Sequence, residues 1–385
     1  MKSIAKAGLG VIGVLALIAM QASPAHAHPQ AQGTDVVGVG SDTAQYGVNF
    51  LIEGVNGKAG FNSGSLDRRA YAFDASGDGS GGATTGATAV LRAGSTQVVA
   101  LPNGSGAGIS AMLNDCVGPN TAPCDSTKPE QINFVRASRL PKSTEQATAS
   151  DAHHAWGGLH VFQFATDGLQ IAVSNAVTTS VPAVLTPQDL ICIYQGQNTG
   201  PGATCPQFAS IVPFLPQSGS GTRTFFLDDL AAANGGTALT LGGNVQSMQE
   251  HDPTPIKGNA NAIAPFSTGR VQLLNSGYLG DGTNSTPQLK NVVKTLTAAG
   301  NFNDPARGLY ILVRERDVHD HTNLASTGVT ASGQAFPWQA DGTRNWVETL
   351  FAGPTSWIAK TANNPLIAGA FFTPSYSDLG VVSSG

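Results

Sequence analysis

Ile211-Val212-Pro213-Phe214-Leu215-Pro216-Gln217-Ser218-Gly219-Ser220-Gly221-Thr222 is the stretch on which the fold turns. Ile211 to Phe214 reads as a short buried strand, Ser218 to Thr222 as a turn of small polar residues, and the residues through Leu230 as a helix. Two further stretches repeat the design. Asp35-Val36-Val37-Gly38-Val39-Gly40 reads as a strand running into Gly40-Ser41-Asp42-Thr43. Val98 to Leu101 reads as a strand, and Asn103-Gly104-Ser105-Gly106-Ala107-Gly108 leads from it into a helix at Ile109. A helix start carries unpaired N–H groups and a partial positive charge. Glycine lets a ligand approach the backbone, and Ser or Thr hydroxyls add donors. Such turns bind oxyanions without a formal cation. One such turn alone is adequately explained by helix capping. Three of them together point to an anion pocket.

Strands and helices alternate through the rest of the chain. Ile132 to Val135 reads as a strand before Arg136-Ala137-Ser138-Arg139, and Val161 to Phe164 and Leu169 to Ser174 are β-rich. Thr186-Pro187 has the N-cap and first-turn proline of a helix start. Leu309 to Val313 reads as a strand and Trp346 to Leu350 as helical. The alternation argues for an α/β fold, and 385 residues suit two lobes better than one core. No internal repeat is visible. Gly77-x-Gly79-x-x-Gly82, in the low-complexity run 73–87, matches a dinucleotide fingerprint only formally, because no buried strand precedes it and no helix-forming run follows.

Only 12% of residues are charged and the formal net charge is -5, which excludes the basic field of a nucleic-acid binder. Lys2 and Lys6, the apolar run Ala7 to Met20 and Pro24-Ala25-His26-Ala27 read as a signal peptide over residues 1–27. The expected mature protein is soluble, periplasmic or secreted. In that compartment Cys116, Cys124, Cys192 and Cys205 read as two disulfides, with the local pairing Cys116–Cys124 and Cys192–Cys205 preferred among three. A zinc site of four cysteines lacks the usual spacing. No Gly-x-Ser-x-Gly nucleophile frames Ser105 or Ser220. His153, His154 and His160, and His319-x-His321, read more readily as surface or packing residues than as metal ligands. Cleavage after Ala27 would make His28 a terminal copper chelator, with no second ligand in view. Asp228-Asp229 reads as a solvated pair, and no two carboxylates are framed for acid–base work. The chain reads as a binding protein rather than an enzyme, with no cofactor and no metal.

Ser218-Gly219-Ser220-Gly221-Thr222 resembles the phosphate loop of the phosphate-binding receptors of ABC importers. Leu185-Thr186-Pro187-Gln188-Asp189-Leu190-x-x-Ile193-Tyr194-x-Gly196 resembles a segment of the same family at the expected distance. Gly104-Ser105-Gly106-Ala107-Gly108-Ile109 resembles its Gly-Ser-rich helix entry, and Gly38-Val39-Gly40-Ser41-Asp42-Thr43 stands where its first Gly-x-Gly turn lies. The likeness is scattered over residues 35 to 275.

The resemblance implies a type II periplasmic-binding-protein fold, two α/β lobes closing at a hinge. Lobe 1 would comprise residues 28–174 plus 306–385 and lobe 2 residues 175–305, with crossings near Ile171 and Leu309. The implied ligand-binding residues are Ser41, Asp42, Thr43, Ser105, Gly106, Arg139, Ser218, Ser220, Gly221 and Thr222. The implied partners are inorganic phosphate or a related tetrahedral oxyanion and the subunits of an ABC permease, with the receptor itself a monomer. Two departures stand out. Arg139 occupies the place of the family's proton-accepting Asp, and Pro216 that of its Arg. Asp42 could supply the acceptor and Arg139 the cation, an exchange of roles across the pocket. Arg136 and Arg223 are weaker candidates for ligand contact. The rival reading is a secreted structural or interaction protein that keeps the frame without import duty. A phosphate-ester hydrolase ranks third.

Overall fold

The computed structural model describes residues 31–32, 35–64, 69–75, 88–93, 95, 98–115, 131–154, 156–278, 292–296, 306–319 and 346–384. Residues 1–27, the Gly77–Gly82 run, Cys116, Cys124 and His321 lie outside them.

The strand β1 (Val36–Gly40) shows why the sheets are enclosed. All five of its residues are buried. Val37 and Val39 pack on one face with Ile109 and Met112, while Val36 packs on the other with Phe134, Phe162 and Val48. Period-two alternation with both faces apolar means a sheet covered on both sides. β1 lies parallel between β2 (Ala70–Ala72) and β3 (Phe134–Ala137). β4 (Leu159–Asp167), β10 (Arg307–Arg314) and β11 (Thr373–Val381) complete a six-stranded sheet in the order β11-β4-β10-β3-β1-β2.

A second sheet of five strands has the order β7-β6-β8-β5-β9. Its members are β5 (Leu169–Ser174), β6 (Val212–Pro216), β7 (Gln246–Met248), β8 (Ala262–Ser267) and β9 (Val293–Thr295). Ile171 and Val173 face Leu190, Ile193, Phe226 and Leu230, which belong to the helices α4 (Pro187–Tyr194) and α5 (Gly221–Ala233). Ala172 faces the other way, towards Phe266 and Val271. The architecture is α/β with two sheets, as the alternation of elements implied.

The chain passes between the sheets at Gly168, the single residue between β4 and β5. The sequence expectation runs lobe 1 to Ser174, the last residue of β5. β5 pairs with β8 and β9, in the second sheet. The alternation of Leu169, Ile171 and Val173 specifies a strand with a buried face, but nothing local specifies which sheet receives it. The return crossing falls between Leu296 and Arg307.

Helix α4 starts as its sequence requires. Thr186 Oγ1 accepts from Asp189 N at 3.2 Å and Asp189 Oδ2 accepts from Thr186 N at 2.8 Å, a reciprocal capping box with Pro187 in the first turn. Cys192, in the last turn of α4, is bonded to Cys205, one half of the expected local pairing. The two half-cystines are 13 residues apart. A loop of this length restricts the unfolded chain by about 3 kcal/mol. Replacing both cysteines by Ala should therefore lower the urea unfolding free energy by roughly 2–4 kcal/mol. No shift in the denaturation midpoint would mean that the loop is ordered without the bond.

Candidate functional site

The three small-residue turns meet between the sheets. The first follows β1. Gly40 has φ 113°, Ser41 N donates to Arg136 O at 2.9 Å, and helix α1 (Gln45–Glu53) begins just beyond. The second opens helix α2 (Ser105–Asn114), with Gly104 at φ 107°. The third opens α5, where Ser220 Oγ accepts from Arg223 N at 3.0 Å as N-cap.

Turns of the two sheets touch directly. Gly106 N donates to Gly219 O at 2.9 Å. Asn103 donates to Gln249 Oε1 at 2.6 Å and accepts from Gln217 Nε2 at 2.7 Å. The hydroxyls of Thr43 and Thr222 share a hydrogen bond of 3.1 Å. A Cβ on Gly104 would lie 2.6 Å from Gly219 O, so only glycine allows this approach. A Cβ on Gly221 would lie 2.2 Å from Ser138 Oγ and 2.4 Å from Ser105 Oγ. Those two hydroxyls share a hydrogen bond of 3.2 Å, and Ser138 N donates to Ser105 Oγ at 2.9 Å.

A buried carboxylate, that of Glu250, sits on the donors of these turns. Its Oε2 accepts from the Ser220 hydroxyl and faces Thr222 N at 3.4 Å, and its Oε1 faces Thr43 N at 3.4 Å. The amide contacts are long for hydrogen bonds, but they place the negative charge at the positive end of α5. Next along the chain, His251 Nδ1 is hydrogen-bonded to Asp42 Oδ2. The other oxygen, Asp42 Oδ1, is buried with no hydrogen-bond partner among the described residues.

Two buried cations stand behind the turns. Arg136 donates to the carbonyls of Ser41 and Gly40, each at 3.2 Å, and of Phe73 at 2.7 Å. Burial pushes its guanidinium down to about 10, opposed by the charges of Asp74 and Asp42. Arg307 donates to Thr222 Oγ1 at 2.8 Å and is paired with Asp167 at 3.0 Å. Arg139, the expected cation, is held bidentately at 2.7 and 2.8 Å by Glu145 of helix α3 (Ser143–Ala149) and also donates to Leu140 O. Arg223 donates to Pro216 O at 2.9 Å.

Of the residues expected from the sequence, Ser41, Asp42, Thr43, Ser105, Gly106, Ser220, Gly221 and Thr222 are brought together. Ser218 is exposed on the turn, and Arg139 lies beside the site with its guanidinium turned to Glu145. Sequence reasoning missed Glu250, His251, Arg307 and Asp167, and passed over Ser138. A signal existed for the first two, since Glu250-His251-Asp252 places three titratable residues in a row in a charge-poor chain. None existed for Arg307, which is merely the first residue of a largely apolar strand. The histidines elsewhere have other duties. His154 bridges Asp151 and Leu113 O, and His160 lies between Glu315 and Asp378 at 2.6 Å from each. Among the described residues no group of three His, Cys, Asp or Glu could hold a metal, and no helix is long and apolar enough to cross a membrane.

The sequence model for the PBP superfamily domain matches residues 74–330. The chain belongs to the PBP superfamily. No curated protein matches it. Among solved structures it is similar to a candidate phosphate ABC transporter substrate-binding protein of Clostridium perfringens with bound phosphate, at 16% identity and TM-score 0.48, over 89% of this chain and 99% of that one. It is also similar to an ABC-type phosphate transport receptor of Vibrio cholerae, at 15% identity and TM-score 0.44, over 89% and 100%. A phosphate-binding protein of Stenotrophomonas maltophilia aligns at 13% identity and TM-score 0.40, over 86% and 97%.

Two predictions arise from the packing at α5. Gly221→Ala places a methyl group against the Ser105 and Ser138 hydroxyls, so it should hold the cleft open and raise the radius of gyration in small-angle scattering. An unchanged radius would show that the turns have room to spare. The second concerns Asp229, which was expected to be solvated with Asp228. Asp228 is exposed, but Asp229 is half-buried and pushed up to about 6, by burial first and by Asp228 second, with Arg307 opposing. A carboxyl raised in the folded state keeps its contribution below its unfolded value and loses it as pH rises through about 6. Asp229→Asn should thus be more stable than wild type at alkaline pH, and the gap should close as pH falls towards 4. Chemical denaturation across that range would reveal a pH-independent gap if this assignment is wrong.

Proposed function

We propose that the cleft captures a tetrahedral oxyanion, inorganic phosphate or a close relative, for delivery to an ABC permease by an exported, monomeric receptor. One observation carries the reading. Donors from turns of both lobes, Thr43 N, Ser220 Oγ and Thr222 N, converge on a single buried negative group. The Ser105 and Ser138 hydroxyls lie beside the same helix start. Neutral donors in a site shielded from water bind an anion strongly, because the ion finds there what water would otherwise supply.

Asp42 fits the role of proton acceptor. Its Oδ1 is buried without a hydrogen-bond partner among the described residues, and a buried acceptor favours an oxyanion that still carries a proton over one that carries none. Arg307 is a second cation beside the donors, in addition to Arg139, and it reaches them through Thr222. No chemistry on the ligand belongs to this reading.

Calorimetric titration of ligand-stripped protein tests it. Phosphate should bind and sulfate should not, and Asp42→Asn should lose at least about tenfold of that selectivity, since one mispaired buried polar group is worth roughly 1–3 kcal/mol. No heat from either anion at millimolar concentration would sink the reading and leave the interaction-protein alternative in front.

A further inference from the structure

The donors that would hold an oxyanion are already engaged. Glu250 Oε2 has Ser220 Oγ and Thr222 N before it, and Oε1 has Thr43 N. The same atoms cannot serve a second anion. Nor can two negative charges share one dry site, because a like charge at hydrogen-bond distance strongly disfavours the ionised form of its neighbour. An oxyanion bound at these turns must therefore take the place of the Glu250 carboxylate.

Glu250 does not act alone. It lies in the connection between β7 and the short helix Thr254–Lys257. Three successive residues of this connection each fasten to the opposite lobe. Gln249 accepts from Asn103 Nδ2 at 2.6 Å, Glu250 faces Thr43 N, and His251 pairs with Asp42. On its own side the connection is anchored by Glu250 N donating to Gln217 Oε1 at 2.9 Å. All three grips reach the turns that carry the proposed ligand donors. Closure and occupation of the donors are thus the work of one segment.

Resting on the oxyanion reading above, we infer that Gln249-Glu250-His251 is an internal latch, whose Glu250 carboxylate occupies the ligand's own donors and keeps the lobes closed until an oxyanion displaces it. Two consequences follow. The latched state lowers the competent fraction of the protein, so apparent affinity is reduced by that fraction. The latch also filters ligands. A tethered carboxylate competes at an effective concentration of about millimolar or more, so a free monocarboxylate, offering the same two oxygens, cannot displace it. A tetrahedral oxyanion has further oxygens for Ser105 and Ser138.

The test is phosphate titration of wild type, Glu250→Ala and Glu250→Gln, each with small-angle scattering before and after phosphate. Glu250→Ala is expected to bind phosphate at least ~10-fold more tightly than wild type. Its ligand-free radius of gyration should exceed that of wild type and fall when phosphate is added, while the wild-type radius stays constant. Glu250→Gln keeps the shape and one acceptor oxygen without the charge, so it should tighten binding by a smaller factor, and it decides the matter if the Ala variant fails to fold. If wild type binds phosphate and neither variant binds more tightly, the latch is overturned while the oxyanion site stands. If no form binds phosphate, both fall together.

Discussion

A negative charge held at the amino terminus of α5 is the constraint around which the cleft is organised. Turns from both sheets bring unpaired N–H and hydroxyl groups to the same small volume, and burial removes the water that would otherwise satisfy them. Buried donors left unpaired cost about 1–3 kcal/mol each, so the turns can come together only around an acceptor. In this structure the acceptor is the Glu250 carboxylate, which accepts from Ser220 and faces the amides of Thr43 and Thr222. Turns of both sheets reach that one carboxylate, and the glycines at 104, 106 and 221 let the backbones approach closely there.

The formal cations near the cleft serve the turns rather than the anion directly. Arg136 is wholly buried and ties together the carbonyls of Gly40, Ser41 and Phe73, which fixes the course of the first turn. Arg307 is neutralised by Asp167, which accepts from its Nε and Nη2, and it donates through Nη1 to Thr222. Arg139 is neutralised by Glu145. An unpaired guanidinium in a dry cleft would be expensive to bury. Each of the three is paired with a carboxylate or with carbonyls.

The strand–turn–helix units were legible in the sequence because their signals are local. A period-two apolar run ends in glycine, a Ser or Thr follows at the cap, and apolar residues resume at helical spacing. Those rules placed β1, β6, α2 and α5, and they also placed α4 with its Thr186-Pro187 start. They placed Ser41, Thr43, Ser105, Ser220 and Thr222 at the mouths of the turns. The resemblance to a known receptor family then implied that the turns face one another.

What the sequence by itself determined is therefore the strand–turn–helix units, the small polar residues at their turns and the α/β class, since capping and periodicity act over a few residues. Tertiary structure alone decided which sheet receives β5, that Arg139 turns to Glu145, and that Glu250, His251 and Arg307 stand at the site. Thr43 and Glu250 are 207 positions apart, and Asp42 and His251 are 209 apart. No short-range rule can relate residues so distant. Their encounter depends on how two separately wound sheets come to face each other, and that is set by the sum of their packing.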